Sequence, residues 1–573
     1  MRRLSVVLVL FAAQAAHAAQ WHVDASAGGG GNGSAASPFN TLGKALTVLQ
    51  TGDTVLVHNG TYNESVNLYK IPQGPGGRTV IKAAAGHTPV FDGGGASYVL
   101  ESSEVSLVTF EGLTVRNADT GFLFHQAHDG QVINCTTQNV KTGVVFYFSD
   151  RGEVTGSDLQ GGVSGKATDG TVIKGSTIHD SKENGLYLHA DSKNCKYISN
   201  VVRDNTPINV YIDSSSDMTV DRNLIYMTGA PAPGHIGIQL ADEKYANVSS
   251  PRLQNITITN NLLVRNGFGI SFWKGSFPGQ SGMKNVKIAN NTIVNQAEVA
   301  LSWDDGPHSA EIRNNIIVDD GKGNAVALLL AKSTQGVTLD HNLWQMTWIN
   351  EFIDWGGTSY THYAWKQATG QGAGDVLADP MLVGAWTPQA ANLRLQPGSP
   401  AVDKGAALAF VTHDFDGTAR PAGSAHDIGA FESGGPAPAP DGGTGQPDAA
   451  QPGDGGAGAG DKGGAGSDGV TPTAPDGPSI PQNGDTTGGC ACLVGGSSRP
   501  PADAAAWLAL ALLALAGYLR PAPRKKSSIS RSVLVWMSNC LRPPAPPDCG
   551  SPSADEVIQR SAKPRSRPMK SNE

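Results

Sequence analysis

Along the 573-residue chain, the side chains able to do chemistry recur at one place in a short repeated unit. Seven segments begin with Gly, Asn or Ala and continue as alternating large residues: 121–125, 143–147, 185–189, 209–213, 237–240, 269–273 and 300–304. Side chains of an extended strand alternate between two faces. Leu186 and Leu188, Val210 and Ile212, Ile270 and Phe272, and Leu301 and Trp303 then share an inward face. Tyr187, His189, Tyr211, Asp213, Gln239, Ser271, Trp273, Ser302 and Asp304 fall on the outward one. Asp191, Asp242, Lys244, Lys274 and Asp305 lie in the turns just beyond. Carboxylates, two Lys, a His and aromatic rings on one face suit an acidic sugar chain, because rings stack on pyranose faces and ammonium groups hold carboxylates. Tyr187, His189, Tyr211, Gln239 and Trp273 are the candidate substrate-binding residues. The competing reading is a solvated face with ordinary ion pairs and a few exposed rings.

Such residues converge only if successive strands stack. An apolar-x-x-Asn pattern recurs at Asn200, Asn223, Asn261, Asn291, Asn315 and Asn342, with Ser176 in the same place one repeat earlier. The steps are 24, 23, 38, 30, 24 and 27 residues, a coil of 22–30 residues with one insertion at 224–257. Short strands, turn residues and no helical period predict a parallel β-solenoid. Adjacent coils would lie about 4.8 Å apart, so residues 24–35 apart in sequence would meet. The recurring Asn is expected to stack as a structural side-chain ladder.

Composition bounds the rest. Gly is 72 and Pro 35, charged residues are 16% and hydrophobic residues 39%, enough for a large core in part of the chain. Six Cys without a CxxC pair argue against a disulfide scaffold or a zinc ribbon. The net charge of −8 is uneven: from Arg520 onward 11 Lys and Arg meet 4 Asp and Glu, a net of +7, so the rest carries −15. A body that acidic is a poor nucleic-acid binder.

The two ends read as addresses. Residues 1–18 have the form of a cleaved secretory signal: Arg2 and Arg3, an apolar run from Leu4 to Ala15, then Ala16-His17-Ala18. Residues 434–489 are rich in Gly, Pro, Ala and Asp and form an expected flexible stalk. Cys490-Ala491-Cys492, an apolar stretch over 502–519 and Arg520, Arg524, Lys525 and Lys526 follow. Residues 490–526 resemble a myxobacterial C-terminal sorting signal, which implies processing near Cys490 and a surface-exposed protein. A plain single-pass anchor is the alternative. The tail 527–573 is left unassigned.

Two flanking segments carry a further resemblance. Trp21-His-Val-Asp-Ala-Ser, Ser37-Pro38-Phe39, Thr41-Leu42, Gly52-Asp53-Thr54-Val55 and Asn59-Gly60-Thr61-Tyr62 resemble the opening of secreted right-handed β-helix proteins of the pectate-lyase superfamily. Asp379-Pro380, 397–403, Asp416-Gly417, Arg420-Pro421 and 427–432 resemble a C-terminal segment of anchored members. The resemblance implies an all-β right-handed parallel β-helix over 19–345, opened by a short capping helix, with a C-terminal segment at 346–433 closing the solenoid. It is closest to the family-nine polysaccharide lyases. Lyases of this superfamily abstract the proton α to a uronate carboxylate, with a divalent ion, usually Ca²⁺, neutralising the charge that develops. No signature fixes these groups here; by strand parity and position, Asp213, Asp242, Asp304 and Asp305 are the clustered candidates to hold Ca²⁺, and Lys244 or Lys274 the candidate base. The expected partner is extracellular polysaccharide, with membrane attachment through the C-terminal anchor and a monomeric body.

Two rivals stand beside β-elimination. A glycan-binding adhesin fits a stalked solenoid equally well. An inverting hydrolase needs two carboxylates; of the polygalacturonase-like blocks only Asp304-Asp305 is present, and Gly234-His235-Ile236-Gly237 departs from the His block. The Asp-Pro-His-Asp block of alginate epimerases is missing. Cys135 and Cys195 read as buried residues of the coils, with a disulfide as the alternative. Asp414, Asp416 and Asp427 read as turn caps.

Overall fold

The computed structural model describes residues 18–74, 76–230, 233–321 and 325–434. The signal peptide, stalk, sorting signal with its apolar span 502–519, and tail 527–573 lie outside the described residues, apart from the last residue of the first and the first of the second. Among the described residues no helix is long and apolar enough to cross a membrane.

The chain winds as a right-handed parallel β-helix. One sheet runs through thirteen strands from Gln20–Val23 to Val337–Asp340, each pairing in parallel with the strand one coil away. A second stack includes Thr177–His179, Val201–Arg203, Leu224–Tyr226, Leu262–Val264, Thr292–Val294, Ile316–Asp319 and Leu343–Met346. A third includes Asn184–His189, Ile208–Asp213, Ile236–Ala241, Phe268–Trp273, Val299–Trp303, Ala327–Ala331 and Ile353–Trp355. In the third stack Leu186, Val210, Ile238, Ile270, Leu301, Leu329 and Ile353 lie in one register row, and Leu188, Ile212, Leu240, Phe272 and Trp303 in the next. All belong to one continuous core. The alternation in the sequence and the inward face therefore agree.

The Asn ladder forms at the corner between the first and second stacks. Oδ1 of Asn261 accepts the N–H and the Nδ2 of Asn223, both at 2.9 Å, while Nδ2 of Asn261 reaches the Val220 carbonyl at 2.9 Å. The pattern repeats from Asn200 to Asn342, with Ser157 and Ser176 continuing it by hydroxyls and Asp375 taking the last N–H. The residue before each rung (Ser199, Arg222, Asn260, Asn290, Asn314 and His341) has φ between 53° and 57°, which turns the chain sharply. Asn tolerates that conformation best, which accounts for the Asn-Asn pairs.

The short helix expected at the start is Leu42–Ala45, with Thr41 as its cap. Coiling continues past residue 345, through Ile353–Trp355 and Val376–Leu377. Helix His362–Thr369 then packs buried Trp365 against Trp344 and Trp355 at that end. Residues after 379 fold back along the outer flank of the second stack: Leu382, Leu393, Ala401, Ile428, Ala430 and Phe431 cover Leu224, Leu262, Val264, Val294, Ile316 and Leu343. Cys135 and Cys195 are buried free thiols in this structure, not a disulfide.

Candidate active site

Tyr187 and Tyr211 occupy one outward register row, with Gln239, Ser271 and Ser302 continuing it. His189, Asp213, Ala241 and Trp273 occupy the next. Stacking of the coils sets the contact of Tyr187 with Tyr211, at 5.0 Å and 7°, and alternation along one strand puts the His189 ring beside Tyr187 at 4.0 Å and 4°. The loop that leaves Ile236–Ala241 then bends Glu243 and Tyr245 back over this face.

The result is a compact cluster of acids and phenols. The Tyr211 hydroxyl donates to Glu243 Oε1 at 2.9 Å. The Tyr245 hydroxyl bonds Asp213 Oδ2 and lies 3.0 Å from Glu243 Oε2. The Tyr187 hydroxyl is 2.6 Å from that of Tyr245 and 3.2 Å from Asp213 Oδ2. Ser214 Oγ and the Glu243 N–H complete the shell of Asp213. The hydroxyls of Tyr187 and Tyr245 carry two protons for four oxygen contacts, so a proton on Asp213 fits the geometry. Burial, and next the charge of Glu243, push the Asp213 carboxyl up to about 7. Tyr187, Tyr211 and Tyr245 are pushed far up, mainly by burial, and stay protonated donors. Asp213 is fully buried, whereas Glu243, Tyr245 and His189 are partly exposed. The arrangement can store a proton at Asp213 and pass it to a ligand at Glu243.

The structure separates the four aspartates. Asp242 is buried and accepts from the Arg252 and Leu253 N–H groups and from Ser281, pinning two loops together. Gly275 makes this possible: a Cβ there would lie 1.8 Å from the Asp242 carbonyl oxygen. Asp304 pairs with Lys332, and exposed Asp305 lies 3.9 Å from Lys274. Among the described residues no three His, Cys, Asp or Glu side chains gather to hold a metal. Each of the buried three has its oxygens committed to protein donors, so the expected set does not fit one Ca²⁺ ion. Lys244 is exposed on the loop between Glu243 and Tyr245. Gln239 is buried and accepts from Ser271, and Trp273 is partly exposed. The recess beside them, lined by Gln239, Ser271, Ser302, Asp304 and Lys332, holds about 10 Å³, the room of a single water.

Sequence reasoning missed Glu243, Tyr245 and Lys332. The signal was present. Residues 243 and 245 share the parity of Gln239 and Ala241, and Lys332 shares that of Asp304 one coil on. Alternation carried two residues past the strand end reaches Glu243, four reaches Tyr245, and one coil further reaches Lys332.

Residues 90–281 match a family model described as a right handed beta helix region. No curated protein matches the chain. Among solved structures, the pectate lyase Pel9A is 15% identical over 72% of this chain and 96% of its own, with a TM-score of 0.41. An alginate lyase from Paenibacillus sp. str. FPU-7 is 15% identical over 47% of this chain and 94% of its own, with a TM-score of 0.35. The catalytic unit of a thermostable GH87 α-1,3-glucanase from Streptomyces thermodiastaticus strain HF3-3 is 16% identical over 57% and 67%, with a TM-score of 0.39.

Proposed function

We propose that this β-helix belongs among the pectate-lyase-like proteins and cleaves an extracellular polysaccharide by general acid–base catalysis at Glu243, with Asp213 behind it as the proton-holding partner. The observation that carries the reading is the Asp213–Glu243 pair bridged by Tyr245. Hydrolysis of a glycosidic bond needs a carboxyl that protonates the leaving oxygen. Glu243 is the partly exposed member that can reach it, while buried Asp213 acts only through Glu243 and Tyr245, and a second group at the sugar must activate the water. The partners of this pair are hydroxyls and a backbone amide, which suits proton donation at Glu243. In this reading Lys244 and Lys274 attract an acidic chain. A lysine base is one stripped of water and counter-charge, whereas Lys244 is exposed and Lys274 is paired with Asp305. Ca²⁺-assisted elimination, the family-nine mechanism, has correspondingly little support from these residues. Export and surface anchoring through residues 1–18 and 490–526 place the substrate outside the cell in the same proposal.

The test is to incubate the purified protein with neutral and uronate polysaccharides, with Ca²⁺ or chelator, and to follow reducing ends and the ultraviolet band of unsaturated uronate together. Reducing ends without the band are expected, and Glu243→Gln should lower the rate by about 10²-fold or more. A Ca²⁺-dependent band that persists in Glu243→Gln would return the assignment to the lysines. Retention on glycans without cleavage would make the protein a binder.

A further inference from the structure

Asp53 is a buried carboxylate outside the acid–phenol cluster, only 2% exposed. Its Oδ1 accepts the backbone N–H of Ala19 at 2.8 Å. Its Oδ2 accepts the indole N–H of Trp21 and the backbone N–H of Gln50, both at 3.0 Å. All three donors are neutral, and among the described residues no Lys, Arg or His pairs with Asp53. A carboxylate shut away from water without a cation is costly, so the position beside Oδ1 suits a positive nitrogen.

The nitrogen at that position belongs to the residue that follows Ala16-His17-Ala18, the small-x-small end of the expected secretory signal. Ala18 is exposed and Ala19 is partly buried. The Ala19 carbonyl accepts the Thr54 N–H at 2.9 Å. Gln20–Val23 then pairs with Thr54–Val57 as the end strand of the thirteen-stranded sheet. The first coil therefore begins at the first residue after the expected cut.

We propose that Ala19 is the mature amino terminus and that Asp53 is the counter-ion built to receive it. Hydrolysis of the Ala18–Ala19 peptide bond by a signal peptidase consumes one water: Ala18 leaves as a carboxylate, and the Ala19 nitrogen becomes an ammonium. An α-amino group titrates at about 8 in water, and a carboxylate within hydrogen-bond reach favours its charged form. Processing would thus replace a neutral contact at Oδ1 with a charge-assisted one and fasten the end strand. The inference rests on reading residues 1–18 as an export signal, and it is independent of the polysaccharide chemistry assigned to Glu243.

The experiment uses the exported protein. Its intact mass and first residue come first, and a chain beginning at Ala19 is expected. A chain that keeps Met1 would sink the export reading along with this inference; a chain cut elsewhere would sink this inference and leave export standing. Acylation of the α-amine is then followed between about pH 6 and pH 10, natively and in urea, by mapping the first peptide. Limited access alone would lower the native rate at every pH and leave the midpoint of its rise in place. The ion pair should move the midpoint upward, so that at pH 8 the native amine is about tenfold less reactive, relative to its own plateau, than the unfolded one. Asp53→Asn should bring the midpoint back towards the unfolded value. Equal midpoints in the native and unfolded wild type overturn the proposal even if Asp53→Asn does not fold, and a raised midpoint that persists in folded Asp53→Asn assigns the shift to another group and overturns it too.

Discussion

Asp213 is where a single residue has the largest consequence. Its carboxyl titrates near 7 in the folded chain and near the ordinary 3.8 when unfolded. The folded state therefore holds a proton that the unfolded state releases. That contribution to stability is full below about pH 4 and is lost as pH rises through 7. Asp213→Asn, which cannot ionise, should flatten this fall: its melting temperature should gain on the wild type between pH 5 and pH 8. A parallel pH dependence in both proteins would refute the buried, proton-sharing picture. The same low dielectric acts on Cys135 and Cys195, whose thiols burial pushes up to about 12. A thiol reagent at pH 8 should leave both unmodified in the native protein and label both once it unfolds. Rapid native labelling would show that those coils open.

At the scale of elements, the ladder and the strand register do the positioning. Each Asn rung joins three coils, so its loss is felt by its neighbours as well as at its own turn. Asn261→Ala would strip acceptors from the Asn223 N–H and amide and a donor from Asn291 and the Val220 carbonyl. A cost of about 3 kcal/mol is expected from those buried groups, read from denaturant unfolding. Asn261→Ser should cost less, because Ser157 and Ser176 already occupy the equivalent place with a hydroxyl. Equal costs would mean that the ladder contributes through packing alone. The strands open with small residues for a related reason. A Cβ at Gly269 would stand 2.4 Å from the Ala300 carbonyl oxygen, so the stacks can approach there only without a side chain. The rows that carry Tyr187, Tyr211, His189 and Asp213 inherit their alignment from this spacing.

At the scale of the whole molecule, the returning C-terminal segment is locked by one buried ion pair. Arg420 and Glu432 are completely enclosed, and Arg420 also bonds the Gly429 carbonyl and Asn260. Arg420→Ala would leave Glu432 buried and unpaired, a loss of about 3–5 kcal/mol. It should also uncover the flank over Leu224, Leu262 and Leu343, read as new binding of a hydrophobic dye. An Arg420→Met, Glu432→Met double variant should recover much of that loss, and a double variant no better than Arg420→Ala would assign the loss to packing. Much of this protein was legible from the chain alone. Period-two alternation, the Asn spacing and the Gly-led strands determine a parallel solenoid, its inward rows and its outward face, because each is a local rule repeated every coil. Asp213 and the stacked Tyr187, His189 and Tyr211 follow from the same parity. The rest lies where the repeat stops. The loop after Ala241 turns Asp242 inward and brings Glu243 and Tyr245 onto Asp213, which sets the acid–phenol cluster and separates the aspartates expected to share a metal. The segment after 379 lies along the flank of the second stack. Loop closure and long-range docking depend on contacts between residues far apart in the chain, and no local period encodes them.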